Sequence, residues 1–166
     1  MPTHHLAQVN IARAKAEMTD PIMEGFVSRL DEINALAEAT PGFVWRLTGE
    51  GNDATSLRPF EDNLILVNLS VWESPESLRG YVYKSVHVEV MRGRKAWFDR
   101  MQEMYYAMWW IPAGHIPTVE EAKVRLDHLR KHGESAHAFT FAKVFPAPDA
   151  PVAKPIEGFA DPCPAL

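Results

Sequence analysis

Apolar positions along this chain change period several times, and each change marks an element. Residues 4–12 alternate, with Ala7, Val9 and Ile11 pointing one way and Leu6, Gln8 and Asn10 the other. That pattern predicts a strand with one apolar and one more polar face. From residue 22 to 39 the spacing lengthens, placing Phe26, Leu30, Ile33 and Ala37 on one side of a helix. Asp20 fits its N-cap and Pro21 its first position, where a missing N–H costs nothing. Thr40-Pro41-Gly42 ends it, Phe43–Leu47 reads as a short strand, and a polar connection follows from Gly49 to Asn63.

Leu64–Trp72 is the clearest strand. Ile65, Val67, Leu69 and Val71 make one aliphatic face, and Leu64, Leu66, Asn68, Ser70 and Trp72 the other. Ser74 and Pro75 then start a helix predicted to reach about Phe98. It carries two stripes: Leu78, Val82, Val86, Val90 and Trp97 on one side, and Tyr83, His87, Met91, Arg94 and Phe98 roughly opposite. The first stripe is expected on the sheet. The third helix or the tail is expected to cover the second, with His87 and Arg94 flanking a crevice. Tyr105–Ile111 forms a fourth strand. Thr118 and Glu121 have the spacing of a capping box, so a third helix starts there and ends at Gly133. Phe139–Phe145 is expected as a fifth strand.

The order β-α-β-β-α-β followed by α-β predicts an α+β, ferredoxin-like antiparallel sheet with an added C-terminal αβ. Residues 1–145 form one domain. The last 21 residues contain six prolines and are expected as an extended tail without a ladder. The aliphatic sheet face is the natural seat of the first two helices. The other face is too apolar to leave wet and too polar for plain core. A second copy covering it would enclose a partly polar cavity, so a homodimer is expected.

With 166 residues, 46% of them apolar and 23% charged, the chain is an ordinary globular domain able to bury a real core. A net charge of −5 argues against nucleic acid as a partner. No run is long and apolar enough to span a bilayer, and the start lacks a signal-peptide core, so a cytoplasmic protein without a membrane partner is expected. One cysteine, Cys163, excludes an internal disulfide or thiolate cluster.

The candidate cavity set is Asn10, Trp45, Asn68, Trp72, His87, Trp110 and His115. His87 is either a helix-surface histidine bonded to a neighbour, or a general base or haem ligand, tasks its ordinary pKa suits. The helical wheel puts it away from the sheet, so a role in the cavity requires the helix to bend near Gly80 or Ser85. Arg94, with Arg92 and Lys95, offers a carboxylate or phosphate contact, or simply a solvated face. Trp109 and Trp110 point to opposite faces; Trp110 is assigned to the cavity and Trp109 to the core. His115, in a turn between two prolines, bonds a local carbonyl or touches a ligand. Asn68 in mid-strand needs a cross-strand group, a water or a ligand as its partner. His4 and His5 diverge along a strand, and His128 and His132 lack a third ligand, so no metal site is expected. Walker, dinucleotide and nucleophile-elbow patterns are missing.

The run LVNLSVWESPESLRGYVYKSVHVEVM, residues 66–91, resembles the signature of the dimeric α/β-barrel superfamily of antibiotic-biosynthesis-monooxygenase-like proteins. There a strand ends in Trp-Glu-Ser and the next helix carries a serine–histidine element. With PGFVWR, RPF, RKAWF and WWIPAGHIPT, residues 4–145 resemble more closely a bacterial family of unassigned function within it. The resemblance implies the ferredoxin-like fold and pairing as a dimeric α/β barrel. For function it implies a range: cofactor-free quinone-forming monooxygenases, haem-degrading monooxygenases, isomerases, lyases and proteins of no known chemistry. The haem-degrading branch uses a first-strand asparagine, a second-helix tryptophan and a histidine further along. Asn10 and His87 match two of these; Tyr81 lies nearest the third, and Trp72 belongs to the preceding strand.

The leading expectation is therefore a cytoplasmic homodimer that binds a planar or aromatic molecule without a cofactor. His87 or His115 would be its base, and Asn10 or Asn68 would hold an oxyanion. Haem binding with His87 as ligand is the second reading, and a non-catalytic binding protein the third.

Overall fold

The computed structural model describes residues 3–49, 51, 53–150 and 156–157; of Ser85, Val86, Ile156 and Glu157 only the backbone is described. Four strands make one antiparallel sheet: β1 (His4–Arg13), β2 (Phe43–Arg46), β3 (Ile65–Trp72) and β4 (Tyr106–Pro112), in the order β2-β3-β1-β4. That is the order of the split βαβ plan. β1 pairs β3 so that Asn10 faces Asn68 and Gln8 faces Ser70, and it pairs β4 so that Ala7 faces Trp109.

Alternation along the strands sorts the core into two sides. Ala7, Val9, Ile11, Val67, Leu69, Val71, Ala107, Trp109 and Ile111 form the aliphatic side. It is covered not by the first helices but by the late helix α5 (Val119–His132), through Ala122, Leu126 and Leu129, with Trp45, Leu57 and Phe60 at its margin. The more polar side is covered by the chain itself: α1 (Glu24–Val27), α2 (Leu30–Ala39), α3 (Pro75–Val82) and α4 (Ser85–Trp97). The first two helical segments thus take the side expected for a second copy, and α5 takes the side expected for them. The polar groups of Gln8, Asn10 and Ser70 pair with one another, which lets helices cover that side without a second copy.

Two helices expected as continuous are broken. Residues 21–39 split into a 3-10 turn (Pro21–Met23), α1 and α2. The hydroxyl of Ser28 donates to the Gly25 carbonyl at 3.2 Å, a back-bond that bends a helix. Asp20 caps the first turn by accepting from Ile22 N–H at 3.0 Å. The second break, at Tyr83–Lys84, separates α3 from α4, with Lys84 in an extended conformation. Five residues apart, Val82 and His87 would lie roughly 140° apart on an unbroken helix. The break brings both to the inside, where they are 7% and 3% exposed. Of the inner stripe, Leu78, Val82 and Val90 are buried, while the side chain of Val86 lies outside what is described. The second stripe is not covered as one face, since Tyr83 is exposed and Phe98 is buried.

The fifth strand is not part of the main sheet. Phe139 makes a single bridge to Met108, and only β5 (Lys143–Val144) is extended, paired with β6 (Ile156–Glu157). The tail therefore does form a short ladder. Phe139 and Phe141 sink into the core beside Trp72 and Tyr106 instead of joining an edge. The capping box of α5 is present, with Thr118 Oγ1 accepting from Glu121 N–H at 3.1 Å. Gly42 turns the chain from α2 into β2 at φ 89, and a side chain there would strike Ser77.

Candidate functional site

The cavity lies between the polar side of the sheet and helices α2–α4. Including its mouth it spans about 560 Å3. It is walled by Trp72, Tyr81, Phe43 and Tyr106, floored by Gln8, Asn10, Asn68 and Ser70, and reached by His87 and Arg46.

A chain of amides runs across the floor. Gln8 Nε2 donates to Asn68 Oδ1 and to Ser70 Oγ, both at 2.8 Å, and Asn10 Nδ2 donates to Gln8 Oε1 at 3.2 Å. Trp72 Nε1 donates to the same Ser70 Oγ at 2.9 Å, which fixes the indole against the wall. These groups stand two apart on neighbouring strands, so the pleat and the register alone line them up.

His87 stands over this floor. It is 3% exposed, and its Nδ1 is buried without a hydrogen-bond partner. Burial drives its pKa down from 6.5 to about 4, against the smaller upward pull of the Val82 carbonyl. The ring is therefore neutral at physiological pH and has a lone pair or an N–H to offer. Tyr81 presents an edge to it, with centroids 5.0 Å apart, and stacks on Trp72 at 5.3 Å. Burial raises the Tyr81 phenol well above its ordinary range despite the nearby Arg46 cation.

Arg46 was not legible in the sequence. Strict alternation would put it opposite Phe43. A register shift between Phe43 and Trp45 pairs Trp45 with Val71 and Arg46 with Ser70. This bulge turns Arg46 toward the cavity and Trp45 toward the aliphatic core. Its guanidinium is held by Glu38 at 2.8 Å.

Of the sequence-derived residues, Asn10, Asn68, Trp72, Tyr81 and His87 come together here. The others are placed elsewhere. Trp45 packs on the aliphatic side. Trp110 shares the cavity's side of the sheet but is not part of its lining; its Nε1 donates to the Phe145 carbonyl at 2.9 Å. His115 sits on the far side, 2.9 Å from Glu121. Burial pulls the Glu121 carboxyl up, but hydrogen bonds from His115 and Trp109 outweigh it and hold the pKa low. Arg94 lines a separate cleft with Lys95, Phe98 and Tyr105, its guanidinium over the Tyr105 ring at 5.7 Å.

Haem is the one cofactor that the resemblance raised, and the residues around His87 do not fit it. Tyr81 meets the imidazole and stacks on Trp72, so these two rings occupy the space beside His87 where a macrocycle bound through it would have to lie. The histidine pair of α5 gains a neighbour, His137, whose ring lies 4.4 Å from His128. Arg125 donates to its Nδ1, however, and among the described residues no group of three potential ligands is arranged to hold a metal. Also among them, no helix is long and apolar enough to cross a membrane.

The chain is similar in structure to several proteins of known coordinates. One is SnoaB from Streptomyces nogalater, a cofactor-independent oxygenase seen as its N63A mutant: 15% identity, TM-score 0.46, covering 69% of this chain and 97% of that one. A conserved protein from Methanosarcina mazei Go1 has 13% identity and a TM-score of 0.47, covering 66% and 93%. A protein of unknown function from Nitrosomonas europaea has 12% identity and a TM-score of 0.42, covering 70% and 97%. Among curated proteins there is no match. The model of the family described as "Domain of unknown function (DUF3291)" matches residues 5–155, and the chain belongs to that family.

Proposed function

We propose that this protein binds a small planar molecule with an acidic O–H or C–H in the His87 cavity and acts on it as a cofactor-free, monooxygenase-like enzyme. One observation carries the reading: a neutral, buried imidazole with an unpartnered Nδ1 stands over a row of amides between aromatic walls. A histidine kept neutral by desolvation takes up a proton readily only when an anion forms beside it. The substrate provides that anion by giving up its proton, and the ion pair forms in a water-poor site where it is strongly held. Asn10, Asn68 and the Arg46 guanidinium are the groups able to hold the developing oxyanion. The carbanionic form then adds O2; loss of water from the hydroperoxide converts CH2 and O2 to C=O and H2O. Tyr81, kept protonated by its burial, would donate a hydrogen bond to the departing oxygen.

The reading carries over a cytoplasmic homodimer. Because the chain's own helices cover both sides of the sheet, the interface would use the rims and the edge strand β2, where Val44 is exposed. Light scattering at twice the 18.7 kDa chain mass tests this part.

The central test is titration with 7-hydroxycoumarin, a planar phenol whose fluorescence reports its ionisation. Saturable binding that weakens at least tenfold in both His87→Ala and Arg46→Met supports the site. Binding indifferent to both substitutions would sink it. Oxygen uptake with a panel of hydroxyarenes, lost in His87→Ala, then separates an enzyme from a non-catalytic binder.

A further inference from the structure

Two further voids adjoin the His87 cavity under the N-terminal helices. One, about 280 Å3 with its mouth, is bounded by Phe26, Leu30, Ile33 and Val90. The other, about 420 Å3, runs past Leu30 and Leu66 to Ala54 and Thr55. Asn34 of α2 and Asn68 of β3 line all three spaces, so the two amides stand at one junction.

The hydrogen bonding at this junction is incomplete. Asn68 accepts from Gln8 at 2.8 Å, while its NH2 group has no partner among the described residues. The Asn34 amide has none at all among them. Neither amide is sealed off, because the only fully buried side-chain atoms without partners among the described residues are His87 Nδ1 and His128 Nδ1. Donors and an acceptor therefore face open space between a polar cavity and an apolar groove. Asparagine is also a poor helix former in the middle of α2, between the buried Ile33 and Ala37, which points to a use other than helix stability. Arg29, at the groove's rim, is bound to Glu32 at 3.1 Å and Glu89 at 2.9 Å, so its charge does not compete for the floor.

We propose that the ligand is elongated and amphipathic. Its acidic head lies at His87, a carbonyl part-way along is held by Asn34 and Asn68, and an apolar arm lies in the groove of Phe26, Leu30, Ile33 and Val90. This rests on the reading of the His87 cavity given above and adds the length and polarity of what binds there. The groove makes Leu30 and Asn34 specificity-determining residues, since they meet parts of the ligand remote from the reacting group.

A matched pair of probes tests it: 7-hydroxycoumarin and 3-phenyl-7-hydroxycoumarin, which share the phenol and the lactone carbonyl and differ by one apolar ring. The wild-type protein is expected to bind the phenyl compound about tenfold more tightly or better, the worth of one ring taken out of water. In Leu30→Trp, which fills the groove, the ratio of the two dissociation constants falls to about one. Leu30→Phe, a smaller obstruction, serves if the tryptophan variant does not fold. Asn34→Leu is expected to weaken both probes, because both present the carbonyl. If the short probe binds through His87 and the phenyl ring adds nothing, the groove is overturned and the cavity reading stands. A phenyl advantage that survives both Leu30 variants also overturns it. If neither probe binds, the cavity reading falls and this one with it.

Discussion

Tyr81 meets His87 edge to ring, with centroids 5.0 Å apart and planes at 62°, although a helix break separates them in the chain. The contact joins the end of α3 to the start of α4 and closes the cavity over its amide floor. It dries the imidazole without giving Nδ1 a partner, and most of the site's chemistry follows from that.

His87 makes the protein acid-sensitive in a defined window. Its folded pKa, about 4, lies below the ordinary 6.5, so between these values the unfolded chain binds a proton that the folded one refuses. Stability is full above pH 6.5 and is lost as pH falls toward 4, by up to about 3 kcal/mol at 1.36 kcal/mol per unit. Urea unfolding of wild type and His87→Phe at pH 7 and pH 4.5 checks this. The variant should lose less stability on acidification, and parallel losses would show that His87 is not the group responsible.

The amide floor has a structural value that can be separated from ligand binding. Gln8 is 5% exposed and makes three of its hydrogen bonds. Gln8→Met keeps the length but leaves Asn68 and Asn10 short of partners, at a cost of about 1–3 kcal/mol. A change below about 0.5 kcal/mol in chemical denaturation would mean that water replaces the amide freely.

The adjacent tryptophans should behave differently. Trp109 is 0% exposed beneath α5, and Trp109→Ala is expected to cost about 3–5 kcal/mol. Trp110 is half-buried and tied to the Phe145 carbonyl, so Trp110→Ala should cost less and leave affinity for 7-hydroxycoumarin unchanged. A large loss of affinity in Trp110→Ala would bring that ring back to the ligand.

Haemin should give no stoichiometric Soret band that depends on His87, because Tyr81 and Trp72 occupy the space beside the ring. Titration of wild type and His87→Ala checks it. A band present in one and missing in the other would show that α3 and α4 part to admit a macrocycle.

The alternation of β1 and β3, the cap of α5 and the order of elements were all legible in the chain, because local sterics and hydrophobic period act over a few residues. So was the conflict on the face carrying Gln8, Asn10, Asn68 and Ser70, although the cavity expected from it beneath a second copy lies instead beneath the chain's own helices. Which layer covers which face was not, since an aliphatic face accepts any apolar partner and only the whole chain path assigned α5 to it. Arg46 depended on a bulge, a one-residue slip that alternation cannot foresee. His87 depended on a helix break whose energetic reason lies in the burial of Val82 and His87 together, a tertiary gain that outweighs local helical continuity. The sequence by itself thus determined the strands, the faces and the kinds of group available. Tertiary packing decided which of those groups share one dry space, because that depends on contacts between residues far apart in the chain.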